Sequence, residues 1–334
     1  MNATINSEKN HFPVLLDELI SIISPLYGGT FIDCTFGQGG YSKEILKYSK
    51  NKVIALDRDI DVLKDANLLK NKYENRFQFK NLKFSNINKI DLKNHKLKGI
   101  IFDLGYSLKQ IQDKKKGISF KSSARLNMKM GLNNFSAYEV INKMSEDELS
   151  KIFKYFGDES KNKLISRYII EKRKLKDLNT QDLVNIINRV KNYKNKKTHN
   201  ATKAFQALRI FVNQEISELI YGLIEGFKIL PIGGIIAVVT FHSLEDKIVK
   251  FFFKNYSEIQ KSSRYFPDIK DGKILFKLDK KKPIVPSRLE IRTNPPSRSA
   301  KLRYAIKIDN SFDFKEFNKK FNFFLELENL GKKL

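Results

Sequence analysis

A glycine turn followed by an acid twenty positions later is the feature of the sequence whose spacing points most directly to chemistry. Gly37, Gly39 and Gly40 follow one apolar run, and Asp57 ends the next. Glycine lets the backbone turn sharply and approach a ligand closely, and an acid after the second strand of such a unit accepts hydrogen bonds from ribose hydroxyls. The pattern predicts a strand, turn, helix and strand that bind a nucleoside.

The spacing of the glycines, G-x-G-G rather than G-x-G-x-x-G, bears on which nucleoside is bound. A dinucleotide needs the N–H groups of a helix N-terminus for its pyrophosphate. The turn therefore favours S-adenosylmethionine, which has no phosphate, over NAD or FAD. A structural glycine turn without a ligand is the remaining alternative.

Six runs rich in β-branched and aromatic residues predict the strands that position these groups. Helical patterns separate the first four runs, which is typical of βαβ units around a parallel sheet whose carboxyl ends bind ligands. The sequence therefore predicts the α/β fold class. The runs cover residues 30–34, 52–56, 77–80, 99–102, 234–240 and 302–308.

The fourth and fifth runs are separated by about 130 residues, whereas a crossover normally takes one helix and two to six further residues. The fourth run ends at Asp103, and within the gap Ser145 and Glu148 form a capping box that predicts a helix. An inserted all-helical subdomain of residues 114–200 is the simplest explanation. Its basic end, residues 191–197, is a nucleic-acid contact or a solvated linker.

Two patterns in the second half of the chain predict how it returns to the sheet. Apolar residues at helical spacing over residues 204–223 predict one long amphipathic helix. In the last strand, the alternation predicts that Leu302 and Ile306 face the core while Arg303 and Lys307 face away.

The charge balance favours a polyanionic partner. The 334 residues include 63 Lys and Arg against 37 Asp and Glu, a formal net charge of +26. Basic side chains bind nucleic acid by neutralising phosphates and releasing counterions. The alternative is a solvated surface produced by compositional bias, since lysine far outnumbers arginine.

Other features of the composition exclude several classes of protein. The single cysteine, Cys34, excludes an internal disulfide framework and a cysteine-based zinc site. The scattered histidines lack partners at metal-ligand spacing, and no apolar run approaches the ~18 residues that span a bilayer. We therefore expect a cytoplasmic protein without a metal or a membrane anchor.

Several further phrases make the chain recognisable. It resembles the bacterial RsmH (MraW) family, the S-adenosylmethionine-dependent 16S rRNA cytosine-N4 methyltransferases. The matching phrases follow the family's order across most of the chain. They are His11-Phe-Pro-Val-Leu-Leu-Asp-Glu18, Asp33-Cys-Thr-Phe-Gly-Gln-Gly-Gly40, Asp103-Leu-Gly105, Gly117-Ile-Ser-Phe120, Ala201-Thr-Lys-Ala-Phe-Gln-Ala-Leu-Arg-Ile210, Phe241-His-Ser-Leu-Glu-Asp246 and Asn294-Pro-Pro-Ser-Arg-Ser-Ala-Lys-Leu-Arg303.

The resemblance implies a class I (Rossmann-like) S-adenosylmethionine-dependent methyltransferase domain formed by residues 1–113 and 201–334, with a helical substrate-recognition subdomain, residues 114–200, inserted after the fourth strand. It implies 16S rRNA in the small ribosomal subunit as the partner and leaves a homodimer open. The family's cofactor positions fall on Gly39, Gly40, Tyr41, Asp57, Phe84, Asp103 and Gln110.

Methyl transfer to an amine requires groups that position the acceptor and stabilise its changing charge. Asp103 is the candidate for accepting the amine hydrogens, and a carboxylate that caps the following turn is the alternative. His242 is a second candidate proton acceptor, although Ser243 and Asp246 predict a helix N-terminus there. The candidate RNA contacts, for which helix or strand solvation is the alternative, are Arg209, Asn213, Arg298 and Arg303.

Three substitutions relative to the family pattern, Tyr41, Leu108 and Asn127, leave room for a second function. A non-catalytic RNA-binding protein on the same fold is one alternative. An NAD-dependent dehydrogenase is another, which the glycine spacing and the lack of an evident hydride-relay His or Lys pair disfavour.

Overall fold

The computed structural model describes residues 13–105, 116–120, 125–191, 199–257, 274–311 and 313–334. Its strands are β1 (Gly29–Asp33), β2 (Asn51–Asp57), β3 (Phe77–Asn81), β4 (Leu97–Asp103), β5 (Ile235–Thr240), β6 (Phe276–Lys277) and β7 (Lys301–Lys307). Its α-helices are α1 (Leu16–Ile23), α2 (Gly40–Leu46), α3 (Leu63–Tyr73), α4 (Ala137–Lys143), α5 (Glu146–Gly157), α6 (Asn162–Arg173), α7 (Thr180–Lys191), α8 (Thr202–Asn213), α9 (Glu215–Ile229), α10 (Ser243–Asn255), α11 (Arg288–Thr293) and α12 (Lys315–Asn329).

The strands form one seven-stranded sheet in the order β3-β2-β1-β4-β5-β7-β6. Strands β1 to β5 are parallel, and β7 runs antiparallel to both β5 and β6. Their apolar sequences suit this arrangement, because a parallel sheet is covered on both faces. The order is that of the class I methyltransferase fold, so the predicted fold class is confirmed.

Two apolar cores lie on the two faces of the sheet. One contains Phe31 and Ile101, and the other contains Ile32 and Phe102. The second core continues without a break into the helices that follow β4, where it includes Ile187 of α7. The division of the chain at residues 114 and 200 stays a prediction.

Four helices, α4 to α7, follow β4 among the described residues and precede α8. The helix predicted from its capping box is confirmed as α5: the Ser145 N–H and hydroxyl donate to the Glu148 carboxylate, at 2.9 Å each. Helix α5 packs against α8, which connects the insertion to the sheet. No helix within the described ranges is long and apolar enough to cross a membrane.

The predicted long returning helix is wrong in one respect, because the chain forms two helices there. Gln214 lies between α8 and α9 with a φ of 51°, in the left-handed region. The N-terminus of α9 is completed by the buried Glu328 of α12, which accepts hydrogen bonds from the N–H groups of Ile216 (3.0 Å) and Ser217 (2.8 Å). The helical spacing of apolar residues continues across the break at Gln214. The sequence pattern therefore did not reveal that the helix is interrupted there.

The predicted outward orientation of Lys307 is also wrong. This residue is 2 % exposed, and its Nζ donates to the carbonyls of Phe227 (2.8 Å) and Leu230 (2.6 Å), near the end of α9. The last carbonyls of a helix have no partner within the helix, so a buried ammonium there satisfies them. The hydrogen bonds of Lys307 therefore connect the end of α9 to β7 of the sheet.

The pH dependence of stability should reveal the buried carboxyl of Glu328. Burial raises its pKa to about 8, against the hydrogen bonds from Ser217 and Ile216, which lower it. The folded protein therefore holds a proton that the unfolded chain releases at lower pH, and the stability that this group contributes is lost as pH rises through about 8. In a thermal or denaturant series from pH 5 to 9, wild type should lose stability relative to Glu328→Gln, by on the order of a few kcal/mol.

The control is Glu326→Gln, which changes an exposed carboxyl on the same helix. Its stability should run parallel to that of wild type. A constant difference between wild type and Glu328→Gln across the series would contradict the prediction.

Candidate active site

A pocket opens at the carboxyl ends of β1, β2 and β4, where the topology of an open α/β sheet places ligand sites. It holds about 800 Å³ of empty space, counted to its open mouth. Asp57, Phe84 and Asp103 line it, as do Arg209 and Asn213. Residues that the sequence predicts for the cofactor and residues that it predicts for the substrate therefore lie in one pocket.

Asp57 closes the glycine turn from the end of β2. Its carboxylate accepts hydrogen bonds from the N–H of Gly37 and from the N–H of Asp59, both at 2.8 Å. Burial nevertheless raises its pKa to about 6. The carboxylate retains lone pairs beyond these two bonds. It can therefore also accept hydrogen bonds from ribose hydroxyls, as the sequence predicts.

The glycines of the turn differ in what they do. Gly37 lines the pocket, with a φ of 53°. Gly39, with a φ of 73°, begins α2, and a Cβ there would meet the ring of Phe36 at 2.7 Å. A Cβ on Gly40 would overlap Pro13. Gly39 and Gly40 thus allow close packing behind the turn, and Gly37 allows close approach from the pocket. Cofactor binding by Gly39 and Gly40 stays a prediction.

Tyr41 lies behind the same turn. It is 3 % exposed, and its hydroxyl donates to the carbonyl of Val14. Its side chain thus fastens the segment before α1 to α2. Because the pocket wall does not include Tyr41, we assign it a supporting role in the turn; direct cofactor binding by Tyr41 stays untested.

Phe84 forms a wall of the pocket next to Asp57. Its ring meets the ring of Phe102 edge to face, with centroids 5.4 Å apart. On the side of α9, Gly222 makes room for this ring, since a Cβ there would lie 2.5 Å from Cδ2 of Phe84. A flat apolar face beside an acid that is predicted to bind ribose suits an adenine ring.

Asp103 ends β4 on the other side of the pocket. Its main-chain N–H donates to the hydroxyl of Thr35 (2.7 Å), and its Oδ1 accepts the N–H of Gly105 (3.3 Å). Burial raises its pKa to about 7, and the negative charges of Asp33 and Glu245 raise it further. The proposed turn-capping role and a role toward a ligand are both compatible with this geometry.

Carboxyl groups dominate the electrostatics of this edge of the sheet. Behind the pocket, Asp33 is fully buried, accepts the hydroxyl of Ser42 at 2.6 Å, and has its pKa raised by burial to about 6. Together with Asp57 and Asp103 it forms a group of three acids whose charged forms are disfavoured. A positively charged ligand would stabilise those charged forms.

His242 begins α10, so the predicted helix N-terminus is confirmed, with His242 rather than Ser243 as its cap. Its Nδ1 accepts the N–H of Glu245 (3.4 Å), and Nε2 lies 3.0 Å from Oε1 of Glu245. An imidazole whose Nδ1 accepts a hydrogen bond carries its proton on Nε2. This arrangement assigns His242 a capping role and disfavours it as a proton acceptor.

Glu215, His242 and Glu245 bring three potential metal-ligand atoms within 4.8 Å of one another. Both oxygens of Glu215 already accept hydrogen bonds from Arg209, at 2.8 Å each. A metal on Nε2 of His242 would also have to displace the proton that the capping bond at Nδ1 keeps on Nε2. The residues present therefore do not fit a metal ion.

The candidate RNA contacts are placed very differently. Arg209 is 8 % exposed in its bidentate pair with Glu215, and Asn213 is fully buried. Arg303 forms an ion pair with Asp246 (2.7 Å). Burial or pairing occupies these three side chains, and Arg298 is exposed in the turn before β7. Gln110 lies outside the described residues.

Sequence reasoning missed four charged residues that line the pocket, Arg58, Glu215, Glu218 and Glu245. Arg58 directly follows Asp57, so its position was a usable signal. Glu245 accepts the N–H groups of Phe241 (2.8 Å) and His242 (3.2 Å). Although burial opposes it, the neighbouring His242 together with these hydrogen bonds holds the pKa of Glu245 below its usual value.

The sheet order and the pocket at its carboxyl edge define a Rossmann-like methyltransferase. The sequence model of the MraW methylase family matches residues 8–308, and the chain belongs to this family, as its motifs predicted.

Relatives of the same family cover nearly the whole chain. Ribosomal RNA small subunit methyltransferase H of Orientia tsutsugamushi (strain Ikeda) is 41% identical over 309 residues, which are 90% of this chain and 98% of the relative. The protein of that name from Rickettsia canadensis is 41% identical over 306 residues, 90% of this chain and 99% of the relative. The crystal structure of an rRNA methylase from Streptococcus thermophilus superimposes with a TM-score of 0.35 and 10% identity, covering 87% of this chain and 96% of the other.

Substitution of Gly222 tests the position of the Phe84 wall. In Gly222→Ala the new methyl group must push the ring of Phe84 toward the pocket, because Phe102 blocks another side at 3.3 Å. The affinity for S-adenosylmethionine, measured by calorimetry, should fall about tenfold, the equivalent of roughly 1.4 kcal/mol of overpacking.

Gly226→Ala is the matched control, one turn further along α9, where a Cβ would meet its nearest neighbour, Ile100, at an ordinary 3.5 Å. Its affinity should equal that of wild type. Equal affinities for both variants would mean that Phe84 does not border the bound cofactor.

Proposed function

We propose that the protein transfers a methyl group from S-adenosylmethionine to the exocyclic N4 of a cytosine in the 16S rRNA of the small ribosomal subunit. The observation that carries the proposal is Asp103, a carboxyl at the end of β4 in a pocket whose other acids suit a cationic ligand. Membership in the MraW methylase family supports methyl transfer, and the names of the relatives support the rRNA substrate.

The residues of the cofactor half fit S-adenosylmethionine. Asp57 would accept the ribose hydroxyls, Gly37 would allow the ligand to approach the turn, and Phe84 would cover the adenine. The buried carboxyls would compensate the positive charge of the ligand. When bound, S-adenosylmethionine supplies a methyl group on a positively charged sulfur.

The acceptor half must make a poor nucleophile react. The lone pair of the exocyclic amine of cytosine is delocalised into the ring, so an acceptor aimed at its N–H bonds draws electron density toward the methyl group. Asp103 would accept such a hydrogen and then take the proton that the amine loses. A pKa of about 7 suits this work, because a general base is most efficient near the operating pH.

The remainder of the chain would hold the RNA. The net charge of +26 favours phosphate binding, and α4 to α7 are the next helices described after the strand that carries Asp103. We therefore assign substrate recognition to the insertion, with residues 114–200 as its proposed bounds. This placement keeps the large RNA partner on the acceptor side of the pocket.

The direct test is methyl incorporation into small ribosomal subunits. Purified protein, labelled S-adenosylmethionine and subunits that lack the modification should yield N4-methylcytidine, identified by mass spectrometry of the digested 16S rRNA. RNA binding without methylation would indicate the non-catalytic alternative. Binding of NAD in preference to S-adenosylmethionine would indicate a dehydrogenase.

Asp103→Asn tests the acceptor of the proton. The amide keeps the size and the hydrogen-bonding oxygen of Asp103 but cannot take a proton, so kcat at saturating substrates should fall about 10²- to 10⁴-fold. In wild type the carboxylate is the active form, so kcat/KM at limiting S-adenosylmethionine, which reports the free enzyme, should rise with pH through about 7. The residual activity of the variant should lack this rise. Near-normal turnover would limit Asp103 to a structural or cofactor contact.

A further inference from the structure

Residues 125–133, which we call the wall segment, reach the pocket through Met130. The segment contains neither helix nor strand. Its backbone takes left-handed conformations at Met128 (φ 58°) and Gly131 (φ 76°). A segment of this kind keeps one shape only if groups outside it hold its main chain.

Asn213, at the end of α8, makes several of the hydrogen bonds that fix the main chain of the wall segment. Its Oδ1 accepts the N–H of Met130 (2.9 Å) and Nδ2 of Asn133 (2.5 Å), and its Nδ2 donates to the carbonyls of Met128 (2.9 Å) and Arg209 (2.8 Å). A side-chain amide has two donors and two lone pairs. The amide of Asn213 is therefore saturated, so its role differs from the RNA contact expected from the sequence.

Arg58, which also lines the pocket, holds the same segment. One guanidinium nitrogen donates to the carbonyl of Asn213 (2.7 Å), and another donates to Oδ1 of Asn133. The carbonyl of Arg58 lies so close to Gly131 that a Cβ there would overlap it. Burial lowers the pKa of this arginine, against the nearby charges of Glu218 and Glu215, which raise it.

The cofactor half is held by separate contacts. Asp57 precedes Arg58 in the chain, but its carboxylate bonds to Gly37 and Asp59 and not to the wall segment. Phe84 rests on Phe102. Loss of the contacts between Arg58, Asn133 and Asn213 should therefore change the acceptor side of the pocket without dismantling the cofactor side.

We propose that Arg58, Asn133 and Asn213 are positioning residues that fix Met130 as the wall against which the target nucleotide is held for methyl transfer. The proposal rests on the proposed function. A displacement of about 1 Å between reacting groups can cost about 10²-fold in rate, so a wall held by buried hydrogen bonds affects turnover more than binding. RNA affinity itself comes mainly from phosphate contacts elsewhere.

Asn133 is the residue to change, because it belongs to the network but does not line the pocket. Asn133→Leu keeps the approximate volume and removes both hydrogen bonds. We expect kcat for methylation of small subunits to fall at least about tenfold. The Kd for S-adenosylmethionine should stay within about threefold and the KM for the subunit within about the same range, because neither depends on the wall.

Asn71→Leu is the control, because it makes the same substitution at an exposed position of α3, outside the pocket and the wall segment; its kinetic constants should match those of wild type. If Asn133→Leu does not fold, Asn133→Asp is measured instead. That variant keeps an oxygen that can accept the hydrogen bond from Arg58 and loses the donor to Asn213. Its kcat should therefore fall only in part.

An unchanged kcat in the folded variant would overturn the proposal. A rise in the Kd for S-adenosylmethionine that matches the loss of kcat would overturn it as well, because the wall segment would then serve the cofactor. If wild type transferred no methyl group in the same assay, the proposed function would fail, and this proposal with it.

Discussion

Burial of carboxyl groups at the carboxyl edge of the sheet is the constraint on which the rest of the site depends. Asp33, Asp57 and Asp103 end three adjacent parallel strands, so the topology forces them together. Hydrogen bonds from Gly37, Thr35, Ser42 and their neighbours only partly offset the loss of water, and the pKa of each acid stays raised. A nearby cation stabilises the charged forms of such a cluster, whereas a pyrophosphate would repel them. The cluster therefore suits a sulfonium ligand better than a pyrophosphate.

The pocket also depends on parts of the chain that are distant in sequence. Helix α9 supplies Glu215 and Glu218 to the pocket wall, yet its first turn is completed by Glu328 from the C-terminal helix, and its last carbonyls are satisfied by Lys307 from β7. Both contacts involve buried ionisable groups. The end of the chain is thus a structural part of the active-site half of the fold.

The positions of the basic residues do not by themselves mark an RNA-binding surface. Several basic residues that the sequence offered for RNA are used inside the protein: Arg209 pairs with Glu215, and Arg303 pairs with Asp246. Lys116 likewise pairs with Asp59 and with Asp61 (2.8 Å), close in sequence to Asp57. Where arginine meets carboxylate in a buried, bidentate pair, its role is to hold elements in place.

The sequence by itself determined the α/β fold, the glycine turn, Asp57 and Asp103 at strand ends, the helix begun at Ser145 and the family, because apolar periodicity, capping residues and motif order are local signals. It did not determine the break at Gln214, the inward turn of Lys307 or the cap at His242. Nor did it show that Asn213 is saturated by Met128, Met130 and Asn133. The cap at His242 bonds only three residues along the chain, but the other features depend on which donor meets which acceptor across 77 to 112 residues. Only the packed structure decides such pairings, because a buried polar group takes the partner that folding brings to it.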